Sequence, residues 1–433
     1  MCCHWYFRCI LGLEDKRMGL KRVVVIGLGL SGKSIARFLA RKGVYVLGVD
    51  SSIQALQHCP YIHEKLLETD EFPTQVDYVV RSPGISKDHP WVKAARAAQI
   101  SVVTDIQLAF QTKEFIEQKS FGITGTVGKT TTILFLEYLL RKAGIPAFAM
   151  GNVGVPILDG MQNSGVRLVE MSSFQLADQE TSYPVLSGGM ILNISDNHLD
   201  YHGSFLEYCQ SKQNLSLCMR NPEDLWVGDQ RFCGRSYWEE VQKYMRLLDK
   251  ESALKPLYLH DKYNYCCAYL LAQAEFPIAK SLFIEAVATF KKPSHRMEYL
   301  GEKCGVHYIN DSKATTVRAT EKALLSIGSR AIVILGGRNK GYSFVSLLPS
   351  LRRFAKSVVA MGECAQEIAQ DLDGFPVTVV RNLHEALLCA EEQAIPGDVV
   401  LLSPACASFD QFRSYEERGA IFKQLVGMEE VLL

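Results

Sequence analysis

The sequence has no excess of charge of either sign: its 433 residues include 47 Lys and Arg against 47 Asp and Glu. This balance excludes a global field that would attract nucleic acid or an anionic membrane, although a few backbone N–H groups can still form a local phosphate site. Long apolar runs are also missing, since none reaches the roughly 18–20 residues that a membrane span needs. We therefore expect no nucleic-acid partner and no membrane insertion.

Paired cysteines are absent too, because none of the thirteen cysteines has the CxxC spacing of a redox or zinc motif. Free thiols in a reducing cytoplasm are the default expectation for such scattered residues. The apolar start of the chain is broken by Arg8 and runs into charged residues, so it makes a poor signal peptide. We expect residues 1–20 to be an extension, with translation starting at Met18.

The chain does contain many short apolar runs rich in β-branched residues, separated by helix-like segments. Strands that alternate with helices imply parallel βαβ units. The predicted strands are Val23–Ile26, Val44–Val49, Tyr78–Val80, Ser101–Val103, Ser120–Thr124, Arg167–Glu170, Gly189–Asn193, Ala331–Leu335, Ser357–Ala360, Val377–Val380 and Asp398–Leu402.

Two polar stretches, Gln111–Glu114 and Lys291–Pro293, suggest domain boundaries in a chain too long for one core. We predict an α/β fold of three domains in series. Residues 21–112 would form a Rossmann-like domain, 113–292 a central P-loop ATPase-like parallel sheet, and 293–433 a second Rossmann-like domain.

The first glycine loop has the spacing Gly27-x-Gly29-x-x-Gly32 between a strand and a helix, and Asp50 ends the next strand. Glycines allow the backbone to approach phosphate, and a helix N-terminus offers N–H groups to an anion. NAD binding is one interpretation, but any Rossmann-like turn favours these glycines. We expect a phosphorylated ligand other than NAD.

The second glycine loop is more specific and runs from Thr124 to Thr132 between a strand and a helix. Gly125 and Gly128 permit a nest of N–H groups, Lys129 can neutralise the β and γ phosphates, and the Thr130 hydroxyl can reach Mg²⁺. The spacing is a GxxGKT core rather than a full Walker A motif. It predicts an ATP site.

Metal ligands are expected near these phosphates, and Mg²⁺ prefers hard oxygen donors. Glu170 ends an apolar strand, at the edge where an open α/β sheet presents ligands. The cluster Asp196–His202 follows the apolar run Met190–Leu192. On its own His198 would more often be structural, but a polar run after a buried strand beside an ATP loop favours a functional role.

Two further segments, Ile309–Thr315 and Leu402–Phe412, complete a pattern that resembles the Mur ligase family from about Lys21 to the C-terminus. The second segment is similar to that of the family members that add D-glutamate. The resemblance implies an ATP-dependent cytoplasmic ligase that activates a carboxylate as an acyl phosphate and couples it to an amine. Its substrates would be UDP-MurNAc-L-Ala and D-glutamate, and we expect a monomer.

The resemblance also implies roles for residues of the nucleotide site. The ATP-binding residues would be Gly125, Thr126, Val127, Gly128, Lys129, Thr130, Thr131, Asn264, Arg296 and Asp311. The catalytic residues would be Lys129, Glu170, His198 and Lys212. Two Mg²⁺ ions would be held by Thr130, Glu170, His198 and a carbamylated Lys212, which without the resemblance would be read as a solvated helix lysine.

The resemblance also implies which residues contact the two substrates, the UDP-sugar and D-glutamate. The UDP-sugar would contact Ser31, Asp50, Ser82 and Asn152. D-glutamate would contact Lys313, Thr315, Lys340, Ser408 and Tyr415, where cationic and hydroxyl groups suit an amino acid with two carboxylates. Each domain would then supply one ligand, and closure of the C-terminal domain over ATP would exclude water from the acyl phosphate.

The sequence departs from the family pattern at Val127, Asn197 and Tyr415, where the family often has Asn, Asp and Phe, and Ser52 stands where a well-known member has Arg. Three alternatives stay open. One is a sister ligase that adds another amino acid, or a folylpolyglutamate synthetase. Another is an NAD-dependent dehydrogenase built on the first glycine loop, and the third is an inactive relative that serves as a scaffold.

Overall fold

A computed structural model of the chain describes residues 21–178, 182–194, 199–228, 232–251, 259–327, 330–339 and 341–427. The strands are β1 Arg22–Ile26, β2 Tyr45–Asp50, β3 Glu64–Leu67, β4 Tyr78–Arg81, β5 Ser101–Thr104, β6 Ser120–Thr124, β7 Ala147–Gly151, β8 Val166–Glu170, β9 Gly188–Ile191, β10 Leu225–Val227, β11 Arg235–Ser236, β12 Glu298–Lys303, β13 Val306–Asn310, β14 Ala331–Gly336, β15 Ala355–Met361, β16 Val377–Val379 and β17 Val399–Leu402.

The helices alternate with these strands along most of the chain. They are α1 Leu30–Arg41, α2 Ile53–Gln57, α3 Pro90–Ala97, α4 Asp105–Phe110, α5 Lys113–Ile116, α6 Lys129–Lys142, α7 Ile157–Gly160, α8 Ser173–Ala177, α9 Leu199–His202, α10 Phe205–Gln213, α11 Trp238–Lys250, α12 Leu259–Gln273, α13 Lys280–Thr289, α14 Val317–Ile327, α15 Leu348–Phe354, α16 Ala365–Asp371, α17 Leu383–Gln393 and α18 Tyr415–Val426.

The first sheet has the strand order β3-β2-β1-β4-β5, and all of its strands are parallel. The central strand β1 is covered on both faces, so Val23, Val24 and Val25 are fully buried. Such continuous β-branched runs are expected for parallel strands that lie between two layers of helices. The order is that of a Rossmann fold without its sixth strand.

The second sheet is also entirely parallel, with the order β11-β10-β9-β6-β8-β7. Strand β6 lies between β8 and β9, so the carboxyl ends of these three strands are neighbours. The third sheet, β12-β13-β17-β14-β15-β16, is parallel except for its antiparallel edge strand β12. These sheets confirm the predicted α/β class with three parallel-sheet domains.

The chain divides into two compact units. The first includes sheets one and two and extends, with Lys262–Thr289, as far as the end of α13. The second takes in the first residues of α12, as far as Asp261, and the chain from Phe290 on, which includes the third sheet. The sheets fall within the three ranges predicted for domains, but the boundaries at 112/113 and 292/293 stay predictions. Within the described ranges no helix is long and apolar enough to cross a bilayer.

Inside the first unit, residues from β4 and α4 contact helix α8, which follows strand β8 of the second sheet. Arg81 at the end of β4 is buried and forms an ion pair with Asp178, the C-cap of α8. The Gln107 side chain donates to the Asp178 carbonyl oxygen at 2.8 Å, and the Gln175 amide donates to Asp105 Oδ1 at 3.3 Å. The middle and the C-terminal end of α8 are therefore held from outside the second sheet.

The predicted strands agree with observed strands to within a few residues, and Ser120–Thr124 agrees at both ends. The first helix begins at Leu30, with Gly29 of the first glycine loop as its N-cap. Ser31 therefore lies in the first helical turn. The antiparallel pair β12 and β13 was not predicted. Charged residues take the place of an apolar run in β12, and a histidine interrupts the short apolar segment of β13.

Candidate functional site

The ATP-loop candidate connects β6 to α6, at the carboxyl edge of the second sheet. Strand β8 ends beside it with Glu170, and β9 leads on the other side to Asn193. Open parallel sheets bind ligands at this edge, between loops from neighbouring strands. The topology therefore brings together two of the polar segments that the sequence singled out separately.

The loop backbone needs glycine at two positions. Gly125 has φ 152° and Gly128, the N-cap of α6, has φ 91°, both in the region that favours glycine. A Cβ atom on Gly128 would also collide with the amide of Asn264. Asn264, a predicted ATP residue, thus lies directly beside the loop, and the N-terminus of α6 presents N–H groups that suit a phosphate.

Lys129 folds back onto its own loop. Its Nζ atom donates to the carbonyl oxygens of Gly125 at 2.8 Å and Thr126 at 3.1 Å. These bonds hold the ammonium group over the loop that carries the glycine N–H groups. Thr131, the last loop residue assigned to ATP, is buried.

Thr130, in the first turn of α6, contacts Glu170 at the end of β8. Thr130 Oγ1 donates to Glu170 Oε2 at 2.8 Å, and Asn152 Nδ2 donates to Glu170 Oε1 at 2.9 Å. Glu170 is buried, so the pair offers hard oxygen donors in a site shielded from water. This donor set fits a magnesium ion. No group of three His, Cys, Asp or Glu side chains suited to a metal occurs among the described residues, and His198 lies outside them.

Lys212 is buried in this site, which is unusual because lysine side chains are rarely fully buried. It lies on α10, is 1 % exposed, and its Nζ donates to Gly125 O at 3.0 Å and Thr124 Oγ1 at 3.4 Å. Burial, with a smaller contribution from the nearby Lys129 charge, holds the pKa of Lys212 well below its ordinary value. The residue is thus an amine beside the ATP loop rather than a solvated helix lysine.

Two residues that the sequence analysis missed fix the loop. Asn193 Oδ1 accepts from the main-chain N–H of Val127 at 3.0 Å, and Asn193 Nδ2 donates to the Val127 carbonyl at 2.7 Å. Tyr208 Oη lies 2.9 Å from Thr126 Oγ1, and burial raises the pKa of Tyr208 to about 12. Asn193 directly follows the apolar run Met190–Leu192, so its place at a strand end was the available signal.

A cavity of about 290 Å³ opens beside these residues within the first unit. Its lining combines the loop with α8, α10 and the segment after β4: Pro83, Gly84, Gly125, Lys129, Asn152, Ser172, Ser173, Phe174, Tyr208 and Lys212. Both lysines and Asn152 therefore face one space.

The first glycine loop is held by two of the residues assigned to the UDP-sugar. Ser82 Oγ donates to the Gly27 carbonyl at 2.6 Å. Asp50 accepts from the main-chain N–H of Leu28 at 2.7 Å and of Ser52 at 2.9 Å, so each carboxylate oxygen already has a backbone donor. Asp50 thus shapes the loop, and Ser31 is half-buried in the adjoining turn of α1.

In the second unit, Asp311 follows β13 and is buried. It accepts from the Met297 N–H at 3.1 Å and from Ser403 Oγ at 3.0 Å, and burial raises its pKa to about 7. Arg296 lies between His295 and Met297, whose φ angles of 65° and 45° are left-handed. Such backbone strain concentrates at functional sites, which fits the role predicted for Arg296.

The residues assigned to D-glutamate cluster partly. Lys313 Nζ lies 3.8 Å from the centre of the Tyr415 ring, a cation–π contact, and the Thr315 N–H donates to the Lys313 carbonyl at 2.8 Å. Ser408 is buried in the loop after β17. Lys340 lies outside the described residues.

Comparison with known proteins gives three consecutive family matches. Residues 21–104 match the Mur ligase MurD-like N-terminal domain, residues 123–227 the Mur ligase middle domain, and residues 295–406 the Mur ligase glutamate ligase domain. Together they account for all three sheets.

Full-length relatives are similar as well. The chain is 80% identical over 416 residues to the UDP-N-acetylmuramoylalanine–D-glutamate ligase of Chlamydia trachomatis serovar L2, covering 96% of this chain and 100% of that one. It is 55% identical over 414 residues to the enzyme of the same name from Chlamydia caviae, covering 95% and 99%.

Solved structures support the fold at much lower identity. The UDP-N-acetylmuramate–alanine ligase of Thermotoga maritima aligns with a TM-score of 0.58 at 15% identity, over 94% of this chain and 99% of that one. A bifunctional folylpolyglutamate synthase/dihydrofolate synthase from Yersinia pestis aligns at 0.52 and 12% identity, over 74% and 93%. The relatives at 80% and 55% identity are named as D-glutamate ligases. They favour a ligase that adds D-glutamate over a ligase that adds another amino acid and over a dehydrogenase.

Proposed function

This chain belongs to the Mur ligase family, and we propose that its site joins D-glutamate to UDP-N-acetylmuramoyl-L-alanine, using ATP and Mg²⁺. The reaction is the one for which the relatives at 80% and 55% identity are named. ATP-dependent ligation of a peptidoglycan precursor agrees with all three family matches. The proposed setting is the cytoplasm and the proposed state a monomer.

One observation carries the proposal: Lys129, Lys212 and the Thr130–Glu170 pair surround a single glycine loop at one sheet edge. Cationic groups, a nest of N–H groups and hard oxygen donors are what phosphoryl transfer from a magnesium nucleotide requires. Magnesium-bound ATP would supply the phosphoryl group that converts the L-alanine carboxylate into an acyl phosphate. The amine of D-glutamate would then attack the acyl carbon and release inorganic phosphate.

The chain's own residues would bind the magnesium nucleotide and neutralise the charge of its phosphates. Lys129 would leave the carbonyls of Gly125 and Thr126 and turn its ammonium towards the phosphates, while Thr130 and Glu170 would hold the cation. Positioning and charge neutralisation supply most of the catalysis in such transfers. The proposed role of His198 beside them comes from the family resemblance.

Carbamylation of Lys212 is supported by its burial and by its lowered pKa, because the neutral amine is the form that attacks CO₂. Its nitrogen would bond to the carbon of CO₂ and lose one proton, leaving a carboxylate-like group. That change would turn the repulsion between Lys212 and Lys129 into attraction. The new oxygens could then serve a second magnesium ion.

The other ligands would lie along the loops that follow the strands. We propose that the UDP-sugar contacts Ser31, Asp50, Ser82 and Asn152, and that ATP also contacts Asn264, Arg296 and Asp311. D-glutamate would contact Lys313, Thr315, Lys340, Ser408 and Tyr415. The cation–π contact between Lys313 and Tyr415 supports their assignment to one subsite.

A phosphate-release assay tests the function directly. Purified protein is given UDP-MurNAc-L-Ala, ATP and Mg²⁺ with each candidate amino acid in turn, and D-glutamate alone should accelerate phosphate release. Lys129→Ala should abolish that release with the fold intact, whereas Lys142→Ala, at the far end of the same helix, should keep it. Equal stimulation by L-alanine or a diamino acid would refute the proposed substrate.

A further inference from the structure

In the second unit, the loops that follow β14, β15 and β17 are tied together at the carboxyl edge of the third sheet. The Cys364 N–H donates to the Gly337 carbonyl at 3.1 Å. Arg338 and Ala407 exchange two main-chain hydrogen bonds of 2.9 and 3.0 Å. A shift in one of these loops will therefore be felt by the others.

Two thiols lie at the centre of this junction. Cys364 Sγ and Cys406 Sγ are 3.3 Å apart, close enough for a hydrogen bond between sulfurs. Cys406 is completely buried, whereas Cys364 keeps 5 % of its surface exposed. Neither is assigned to ATP, the UDP-sugar or D-glutamate, and their separation by 42 positions in the sequence matches no spacing motif.

We propose that Cys364 and Cys406 form an oxidation-sensitive pair, which closes into an intrachain disulfide on reaction with a hydroperoxide and so weakens amino-acid binding. The sulfurs must approach by about 1.2 Å to reach the roughly 2.05 Å bond length of a disulfide. That distance is small enough for side-chain rotation combined with a modest loop shift.

The chemistry balances with a hydroperoxide as the oxidant. The Cys364 thiolate attacks the peroxide, which breaks the O–O bond, gives a sulfenic acid and releases water once the leaving oxygen is protonated. Cys406 sulfur then attacks Cys364 sulfur, the S–O bond breaks, and a second water leaves with the Cys406 proton. Two thiols and one hydrogen peroxide become one disulfide and two waters.

The surroundings divide these roles between the two thiols. The hydrogen bond from Cys406, which outweighs burial, lowers the pKa of Cys364, and the same contact raises the pKa of Cys406. The more exposed thiol is thus also the more readily ionised one, as attack on an oxidant requires. Asp410 and Glu367 oppose this ionisation at Cys364 without reversing it.

The expected consequence follows from what Cys406 is bonded to. The buried Arg418 guanidinium donates to the Cys406 carbonyl at 3.1 Å and to the Ser312 carbonyl at 2.9 Å. Ser312 precedes Lys313, and Ser408 lies two residues beyond Cys406. Displacing Cys406 should therefore disturb both segments assigned to D-glutamate, a step that rests on the proposed function.

The test treats the full-length protein with hydrogen peroxide, removes the oxidant, and maps disulfides by peptide mass spectrometry before activity is measured. A Cys364–Cys406 cross-link two mass units lighter than the reduced pair, with at least a fivefold rise in KM for D-glutamate and less than a twofold change in KM for ATP, is the supporting result. Dithiothreitol should restore the original KM.

Cys364→Ser should keep normal activity and lose the oxidation response, and Cys364→Ala serves if the serine variant folds poorly. Cys218→Ser, which removes a buried thiol of the first unit, should respond as the unmodified protein does. Absence of the cross-link would overturn the proposal, as would a cross-link that leaves KM for D-glutamate unchanged. If reduced protein shows no D-glutamate-dependent turnover, the proposed function fails, while the mass map still reports on the thiol pair.

Discussion

Lys129 and Lys212 donate to the same acceptor, the carbonyl oxygen of Gly125, at 2.8 and 3.0 Å. Two ammonium groups on one oxygen repel each other, and the Lys129 charge does contribute to lowering the pKa of Lys212. Burial of Lys212 favours its neutral form, which is the form open to modification. Lys129 stays the candidate ligand of the phosphates.

Lys212→Ala should be almost inactive, because the variant lacks the group that we expect to carry the carbamate. An added small carboxylate such as acetate should restore part of the activity by filling the space. With ¹³C-bicarbonate, the unmodified protein should give a carbamate signal in the ¹³C NMR spectrum that the variant lacks. Full activity of Lys212→Ala without any added carboxylate would contradict the assignment.

Glu170→Gln keeps the size of the side chain and one acceptor oxygen for Thr130 or Asn152, but removes the charge. We expect kcat to fall about 100-fold or more and the Mg²⁺ concentration for half-maximal activity to rise, because the cation loses an anionic ligand. Glu137→Gln is the matched control, since Glu137 is a partly buried carboxylate paired with Arg141 in the i,i+4 positions of α6. A variant with unchanged magnesium dependence would remove Glu170 from the metal site.

Asn193→Ala should loosen the ATP loop, because it removes both bonds that fix the main chain at Val127. We expect KM for ATP to rise about tenfold, which corresponds to ~1.4 kcal/mol, with little effect on KM for D-glutamate. Asn193→Asp keeps the acceptor but loses the donor, and its charge repels phosphate, so it should be worse than alanine. Equal KM values for ATP in all three proteins would refute this role.

Asp311→Asn should stabilise the nucleotide-free protein at neutral and alkaline pH. The unfolded carboxyl ionises near pH 3.8 but the folded one near pH 7, so the folded state binds more protons between these values. Stability therefore falls as pH rises from about 4 to 7 and is then constant. At 1.36 kcal/mol per pKa unit, the variant gains at most about 4 kcal/mol above pH 7 and almost nothing at pH 4.

Amide hydrogen exchange of β13 and β17, measured at pH 5 and pH 8, reports this gain locally. The advantage of Asp311→Asn over the unmodified protein should be larger at pH 8. Asp398→Asn is a comparison in the same sheet region, where the carboxylate is paired with Lys356 at 3.1 Å. A gain for Asp311→Asn that is independent of pH would show that the carboxyl does not titrate in this range.

The ATP loop could be predicted from sequence because its constraints are local. Gly125 and Gly128 are required by backbone angles, and Lys129 and Thr130 act within one turn of them. The central strands could also be predicted from sequence, because parallel strands that are buried on both faces appear as continuous apolar runs. Edge strands such as β12 lack that signal, because one side of the strand meets solvent.

Contacts over long separations could not be read in this way. Composition gave no reason to pair Lys212 with Gly125, which is 87 residues away, and the family resemblance alone singled out that lysine. Asn193 was missed because a single asparagine after a strand has many structural uses. The Cys364–Cys406 contact depends on how two loops meet, which spacing does not encode.

The ion pair between Arg81 and Asp178 has a practical meaning for anyone who wishes to dissect the chain. A fragment ending near residue 112 would retain Arg81, which is 1 % exposed in the whole chain, but would lack its partner Asp178. Removing one partner of a buried ion pair costs ~3–5 kcal/mol. Expression of the first sheet alone should therefore give poorly soluble material. A cut after Thr289 leaves that pair intact but separates the buried Asp261 from its ion-pair partner Lys292.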